Sequence, residues 1–257
     1  MKKIDIHCHV TAKNLSKDLI KLEKQSKVHD VRKIFLMSTY FPQKGNGVSN
    51  YRLYHHIKNK NLFKMYLSLD FGYFWMAYNE MTEILQNDRN KVAGIKIYTG
   101  YQKIDLESEN MKMLLALCKK WNLPMMFHTG YVKGGGRATA FNPMELASFM
   151  TLNPDNIFII AHLGNPYFDQ MIKLLEIQNV YTDISGIMED NDDFSVNDRD
   201  YFMKMYDRVP VQKFLYGTDY PVQTYEQTNE LLDLISKKNK KIIMYNNAKE
   251  IFNANGL

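Results

Sequence analysis

Strand-like and helix-like runs alternate along this chain from its first residues to its last, and that alternation limits the fold more than any other feature. Runs at 3–9, 32–38, 62–69, 92–98, 124–128, 157–162, 179–184 and 213–218 predict eight strands. Several are near-continuous apolar stretches, such as Ile157-Phe158-Ile159-Ile160-Ala161, as expected where a parallel sheet is covered on both faces. Helices are predicted between them at 14–27, 49–59, 76–88, 108–121, 143–151, 166–177, 198–207 and 224–237, with a terminal one at 241–253. The clearest is 108–121, where Met111, Leu114, Leu115 and Cys118 fall on one stripe. Glu107 and Glu109 stand near its start and Lys119 and Lys120 near its end, as the helix dipole favours. Strict alternation implies a parallel sheet. Eight units in 257 residues point to an α/β chain folded as a closed (β/α)8 TIM-like barrel rather than an open doubly wound sheet. No linker or low-complexity tract interrupts it, so residues 1–257 are expected to form a single domain.

Composition removes several function classes. Cys8 and Cys118 are the only cysteines and lie far apart, which implies no disulfide framework and a reducing, cytoplasmic setting. The N-terminus lacks the apolar stretch of a signal peptide, and no run of about 18 apolar residues predicts a membrane span. The net charge of +5 comes from scattered lysines, which read as solvated helix faces, so no nucleic-acid partner is expected. No Gly-x-Gly-x-x-Gly or P-loop pattern opens a helix.

Four segments carry metal-ligand chemistry at strand ends: Asp5-Ile6-His7-Cys8-His9, Phe127-His128-Thr129, Ala161-His162-Leu163-Gly164 and Tyr216-Gly217-Thr218-Asp219-Tyr220-Pro221. Residues two apart on a strand share a face, so His7 and His9 can serve one metal, with Cys8 turned toward the helical layer. Barrel enzymes build their sites at the C-terminal strand ends, where His128 and Asp219 join them. Three imidazoles and a carboxylate suit a hydrolytic Zn2+ site. His162 is open to two readings: a second-metal ligand, or an imidazole that polarises substrate or moves a proton. Lys96, between Ile95 and Ile97, is expected to point into the barrel, where it binds a substrate carboxylate, forms an ion pair or is carboxylated to bridge two metals. Arg137, after three glycines, is a candidate clamp for a substrate carboxylate, and Tyr98 a candidate wall of the mouth.

Together these segments, with Gly94-Ile95-Lys96-Ile97-Tyr98, Leu123-Pro124-Met125-Met126-Phe127-His128-Thr129-Gly130 and Asn246-Asn247-Ala248-Lys249-Glu250-Ile251-Phe252, resemble the amidohydrolase-related family of the metal-dependent amidohydrolase superfamily, in the branch with decarboxylases and lactonases. The resemblance spans nearly the whole chain. It implies a distorted (β/α)8 barrel with one divalent metal, most often Zn2+, with Mn2+ as the alternative. It further implies that His7, His9 and His128 bind metal, that Asp219 binds metal or acts as base, and that His162 orients substrate or shuttles a proton. In this branch the lysine of the fourth strand is usually not a carboxylated bridge.

The function expected is therefore hydrolysis of a small amide, ester or lactone by metal-activated water, with Asp219 and His162 catalytic and Lys96, Arg137 and Tyr98 binding substrate. Decarboxylation of a small carboxylic acid on the same site is the alternative. A TatD-type nuclease is disfavoured because Lys96 stands where those enzymes carry a glutamate ligand. A homodimer is compatible with such a barrel.

Overall fold

In the computed structural model, residues 1–39, 47–132, 139–187 and 196–252 are described. Eight parallel strands follow one another in chain order around a nearly closed barrel. They are β1 (Lys3–Cys8), β2 (Val31–Met37), β3 (Phe63–Ser68), β4 (Val92–Ile97), β5 (Met125–Phe127), β6 (Phe158–Ile160), β7 (Val180–Asp183) and β8 (Phe214–Leu215). The first and last strands meet through main-chain bonds beyond the short β8: Ile6 N donates to Tyr216 O (3.0 Å), Asp219 N to His7 O (2.7 Å) and His9 N to Tyr220 O (2.7 Å). These bonds close the ring at the rim that carries His7, His9 and Asp219.

The near-continuous apolar strands have the burial that such a barrel demands. Every residue of β1, β3 and β4 is buried. Ile34, Leu36, Phe63, Met65, Leu67, Ile95 and Ile97 pack outward under the helices. Ile4, Ile6, Phe35, Tyr66, Met126, Ile159 and Leu215 form a separate interior cluster. Ala248 and Phe252 of the C-terminal helix join that interior cluster, where the Phe252 ring meets Phe35 edge-on at 4.9 Å.

Helices fill the outer layer: α1 (Leu15–Val28), α2 (Asn50–Ile57), α3 (Phe74–Asp88), α4 (Glu109–Trp121), α5 (Ala147–Thr151), α6 (Phe168–Leu174), α7 (Val196–Tyr206), α8 (Tyr225–Leu232), α9 (Lys237–Lys241) and α10 (Asn247–Phe252). In α4 the Ser108 side chain caps the first turn by accepting from Met111 N, and Asn122 ends the helix in the left-handed conformation. Its buried stripe is Met111, Leu114, Leu117 and Cys118, so Leu117 and not Leu115 completes the inward face. Burial of each such leucine contributes roughly 1.5–3 kcal/mol. The helix predicted at 224–237 ends at Leu232, and the terminal one divides into α9, a π-turn at Ile242–Asn246 and α10.

Simple alternation fails at one point that matters. The pairing of β1 with β2 runs Asp5 to Ile34 and then Cys8 to Leu36, a register shift of one residue. Ile4 and Ile6 belong to the interior cluster, yet Cys8 packs in the outer one. The extra residue re-aims the end of β1, so that His7 joins the interior above Ile6, as a bulge beside an active site does.

Candidate metal centre

Five of the strand-end side chains gather at this rim. His7 Nε2 lies 3.4 Å and His9 Nε2 3.0 Å from Asp219 Oδ1. The His7 ring is 5.4 Å from that of His9 and 4.8 Å from that of His162, and His162 is 5.0 Å from His128. His162 Nε2 faces His128 Nδ1 at 3.3 Å. His7 and His162 are buried, while His9, His128 and Asp219 are half-buried and face the mouth.

Burial sets the charge state. It pushes the His7 imidazolium down to about 3, with Lys96 adding to the effect and the Asp183 and Asp219 carboxylates opposing it. Burial also lowers His162, and His128 falls well below the ordinary histidine range through burial and its neighbours His162 and Lys96. Burial alone would raise the Asp219 carboxyl, but His7 and His9 hold it well below the usual carboxylate range. The outcome is neutral imidazoles beside an ionised carboxylate, the protonation state that a divalent metal requires of its ligands.

The fit to a metal rests on atoms left without partners. His7 Nε2 and His128 Nε2 are buried and have no hydrogen bond among the described residues, and buried Asp219 Oδ1 has the two imidazole nitrogens beside it. Orphaned polar atoms of this kind are costly unless something binds them. His7, His9 and Asp219 offer ligand atoms within 4.8 Å of one another. Strain gathers here too: His162, Leu163 and Asp219 have positive φ values of 62°, 52° and 59°. Such backbone, at about 1–3 kcal/mol for each residue, persists where surrounding structure enforces it, commonly at functional sites.

Lys96 points inward, as its isoleucine neighbours required. It is fully buried, 5.6 Å from the Tyr98 ring, and its Nζ has no hydrogen bond among the described residues. Burial lowers it to about 8, against the opposing pull of Asp183 and Asp219. It makes no ion pair at contact distance among the described residues, and its electrostatic partners are the carboxylates behind and beside the ligands. The Tyr98 hydroxyl donates to Ser38 O at 2.9 Å, and its ring stands 6.3 Å from His128. Tyr101 approaches the His128 ring more closely, at 5.1 Å, and went unread in the sequence. Arg137 and Gly134 to Gly136 lie outside the described residues.

Three other groups emerge only in three dimensions. Asp183 ends β7 fully buried, with Oδ2 2.8 Å from His7 Nδ1, and Ser185 lies beside it. Asp5 ties the two closing strands together. It accepts from His7 N and Thr218 N, both at 3.1 Å, from Thr218 Oγ1 at 2.7 Å, and from Cys8 Sγ at 3.0 Å. Gly186 is the third. Its φ is +51°, and a Cβ there would stand 2.7 Å from Asp219 Oδ2 and 2.9 Å from His162 Nδ1. Gly186→Ala is therefore expected to displace one of those two side chains and lose about 1–3 kcal/mol of stability from strain and overpacking. Urea unfolding measures this; a wild-type midpoint would show that the site yields without cost.

Convergent imidazoles and carboxylate on the C-terminal rim of a parallel eight-stranded barrel define a metal-type barrel site. The chain belongs to the amidohydrolase family, whose model matches residues 80–254, and that membership makes it an enzyme. No curated protein matches it by sequence. Among solved structures, a protein assigned as a 2-pyrone-4,6-dicarboxylic acid hydrolase from Acinetobacter baumannii, with citric acid bound, is 14% identical over 98% of this chain and 100% of that one, with a TM-score of 0.72. An amidohydrolase from Burkholderia multivorans with bound zinc is 12% identical over 98% and 99%, with a TM-score of 0.73. A 2,6-dihydroxybenzoate decarboxylase from Rhizobium is 12% identical over 99% of each chain, with a TM-score of 0.70. At these identities the likeness is one of fold. No helix among the described residues is long and apolar enough to cross a membrane.

Proposed function

We propose that this enzyme is a metal-dependent hydrolase of a small ester, lactone or amide, with one divalent metal, Zn2+, held by His7, His9, His128 and Asp219. The observation that carries the proposal is the convergence of His7 and His9 Nε2 on Asp219 Oδ1, with His7 Nε2 and His128 Nε2 buried and without a hydrogen bond among the described residues. A metal held there would lower the pKa of water and polarise a substrate carbonyl. Asp219 remains ionised and half-open to the mouth, so it accepts the proton of the attacking water and returns it to the leaving group. His162, neutral and facing His128, moves a proton at its Nε2. Lys96 supplies positive charge beneath the site for a substrate carboxylate. A cytoplasmic setting and a single barrel domain complete the proposal.

One observation favours a second reading. A buried lysine nitrogen without a hydrogen bond suits a substrate that carries its own carboxylate, which loss of CO2 also requires. Both chemistries occur among the structural neighbours. Carbon dioxide release from carboxylic acids, set against acid release from lactones and esters, separates them.

Elemental analysis of protein purified without chelators is expected to give about one metal per chain, lost in His128→Ala. No metal after reconstitution with Zn2+ or Mn2+ would sink the mechanism.

A further inference from the structure

Behind the candidate ligands stands a second set of hydrogen bonds, fully buried, that never reaches the mouth. Asp183 Oδ2 lies 2.8 Å from His7 Nδ1. Asp183 Oδ1 accepts from His162 N at 2.9 Å, from Ser185 N at 3.1 Å and from Ser185 Oγ at 2.5 Å. The Ser185 carbonyl lies 3.0 Å from His162 Nδ1. Ser185 Oγ is 3.0 Å from His7 Nδ1 and 3.1 Å from His162 Nδ1. Both Nδ1 atoms thus face the same short stretch after β7.

The acceptors there decide where the imidazole protons sit. A carbonyl oxygen only accepts, so the proton of neutral His162 is on Nδ1 and its Nε2 carries a lone pair. A carboxylate that already takes three donors on one oxygen also only accepts, so His7 is protonated on Nδ1 and presents its Nε2 lone pair toward Asp219 Oδ1. With the opposite tautomer, an N–H would point into the site, and the ring could not bind a metal through that atom. Orienting partners of this kind fix ring and tautomer together.

We infer that Asp183 and Ser185 are a positioning pair that fixes the tautomers of His7 and His162, so that His7 presents its Nε2 lone pair to the site and His162 its Nε2 lone pair to His128 Nδ1, 3.3 Å away. The inference rests on the metal reading of that site. His7, His162 and Asp183 also fall within 4.8 Å of one another as a possible metal group. The positioning role is preferred because His7 Nδ1 and Asp183 Oδ2 are already joined as donor and acceptor, with Ser185 Oγ between the two rings.

The test compares wild type with Asp183→Asn, Ser185→Ala and Ser185→Thr. The asparagine keeps the size of Asp183 but can turn an N–H toward His7 Nδ1, which forces the proton onto Nε2. Two readouts are needed. Imidazole 15N shifts of metal-free protein should assign the His7 proton to Nδ1 in wild type and to Nε2 in Asp183→Asn. Zn2+ affinity, measured by competition with a chelating dye, should fall about 10–100-fold in Asp183→Asn, fall in the same direction in Ser185→Ala, and return in Ser185→Thr, which restores the hydroxyl. Circular dichroism checks that the variants fold. If Asp183→Asn does not, the Ser185 pair carries the test. Unchanged tautomers and affinity in folded variants would overturn the inference. So would two metals per chain in wild type with one lost in Asp183→Asn, which would make Asp183 a ligand. A wild type that binds no metal sinks the function proposed above, while its 15N shifts still decide the tautomers.

Discussion

Metal-free protein is expected to lose stability on acidification from pH 6 to about 4.5, at roughly 1.5–3 kcal/mol for each pH unit. The site carries three histidines whose folded values are lowered by burial: His7 to about 3, His128 well below its ordinary value, and His162 in the same direction. Such a group takes up its proton on unfolding. Its contribution is full above the unfolded value near 6.5 and drains away as the pH falls toward the folded one. Asp5 works against them. Burial outweighs its four donors and raises it to about 6, so the native carboxyl protonates before the unfolded one does. Acidification through pH 6 therefore restores stability from Asp5 while the histidines lose it. His7, His128 and His162 all take up protons on unfolding as the pH falls, and Asp5 offsets about one of them. The net is one to two protons at about 1.4 kcal/mol per pH unit each. Against a total stability of about 5–15 kcal/mol, that slope brings the metal-free barrel close to unfolding near pH 4. Zn2+ at a hundred times its dissociation constant should add about 2.7 kcal/mol at neutral pH and progressively less in acid, as protons compete for the imidazoles. Urea titrations at half-unit steps measure the slope. Stability that does not fall between pH 7 and 5 would mean that the native imidazoles bind protons about as readily as unfolded ones, against the buried neutral ligands described above.

The same local polarity explains what could be read from the chain and what could not. Eight strands were legible because burial on both faces leaves an apolar run, as in Phe158-Ile159-Ile160. The strand-end residues His7, His9, His128, His162 and Asp219 were legible because each breaks such a run at the one rim where barrel enzymes work. Asp183 breaks a run in the same way, after Val180-Tyr181-Thr182, and at that same rim. It went unread because a lone aspartate at a strand end also reads as a turn former. The cue available was positional: strands 1, 5, 6 and 8 had each already supplied a polar rim residue. The shift between Asp5 and Cys8 left no sequence trace, since Ile6 and His7 both suit the interior. Asp5 was visible only as part of a motif. Its bonds to Thr218 span 213 residues and exist only once the barrel closes. Arg137, the candidate clamp, lies outside the described residues, and loop residues follow no period from which a role could be read.

Asp219→Asn is expected to lower turnover by about 10^2- to 10^4-fold, the range associated with loss of a positioned general base. The substitution keeps the side chain's size and an oxygen that can still approach a metal, but it removes both the charge and the basicity. The charge matters beyond the proton. Asp219 is the carboxylate on which His7 and His9 converge, and it opposes the effects of burial and Lys96 on His7, His128 and His162. Without it, those imidazoles are held neutral more firmly still, so their lone pairs remain available. Metal should accordingly be weakened but not abolished, whereas His128→Ala, which removes a donor outright, empties the site. The two variants separate binding from chemistry: Asp219→Asn loses turnover at saturating Zn2+, and His128→Ala loses the Zn2+ itself. The comparison is made on whichever ester, lactone or carboxylic acid the wild type turns over, with metal content measured on the same samples. Turnover within tenfold of wild type in a fully loaded Asp219→Asn enzyme would remove Asp219 as the base. His162, whose Nε2 faces His128 Nδ1, would then be the group left to move the proton.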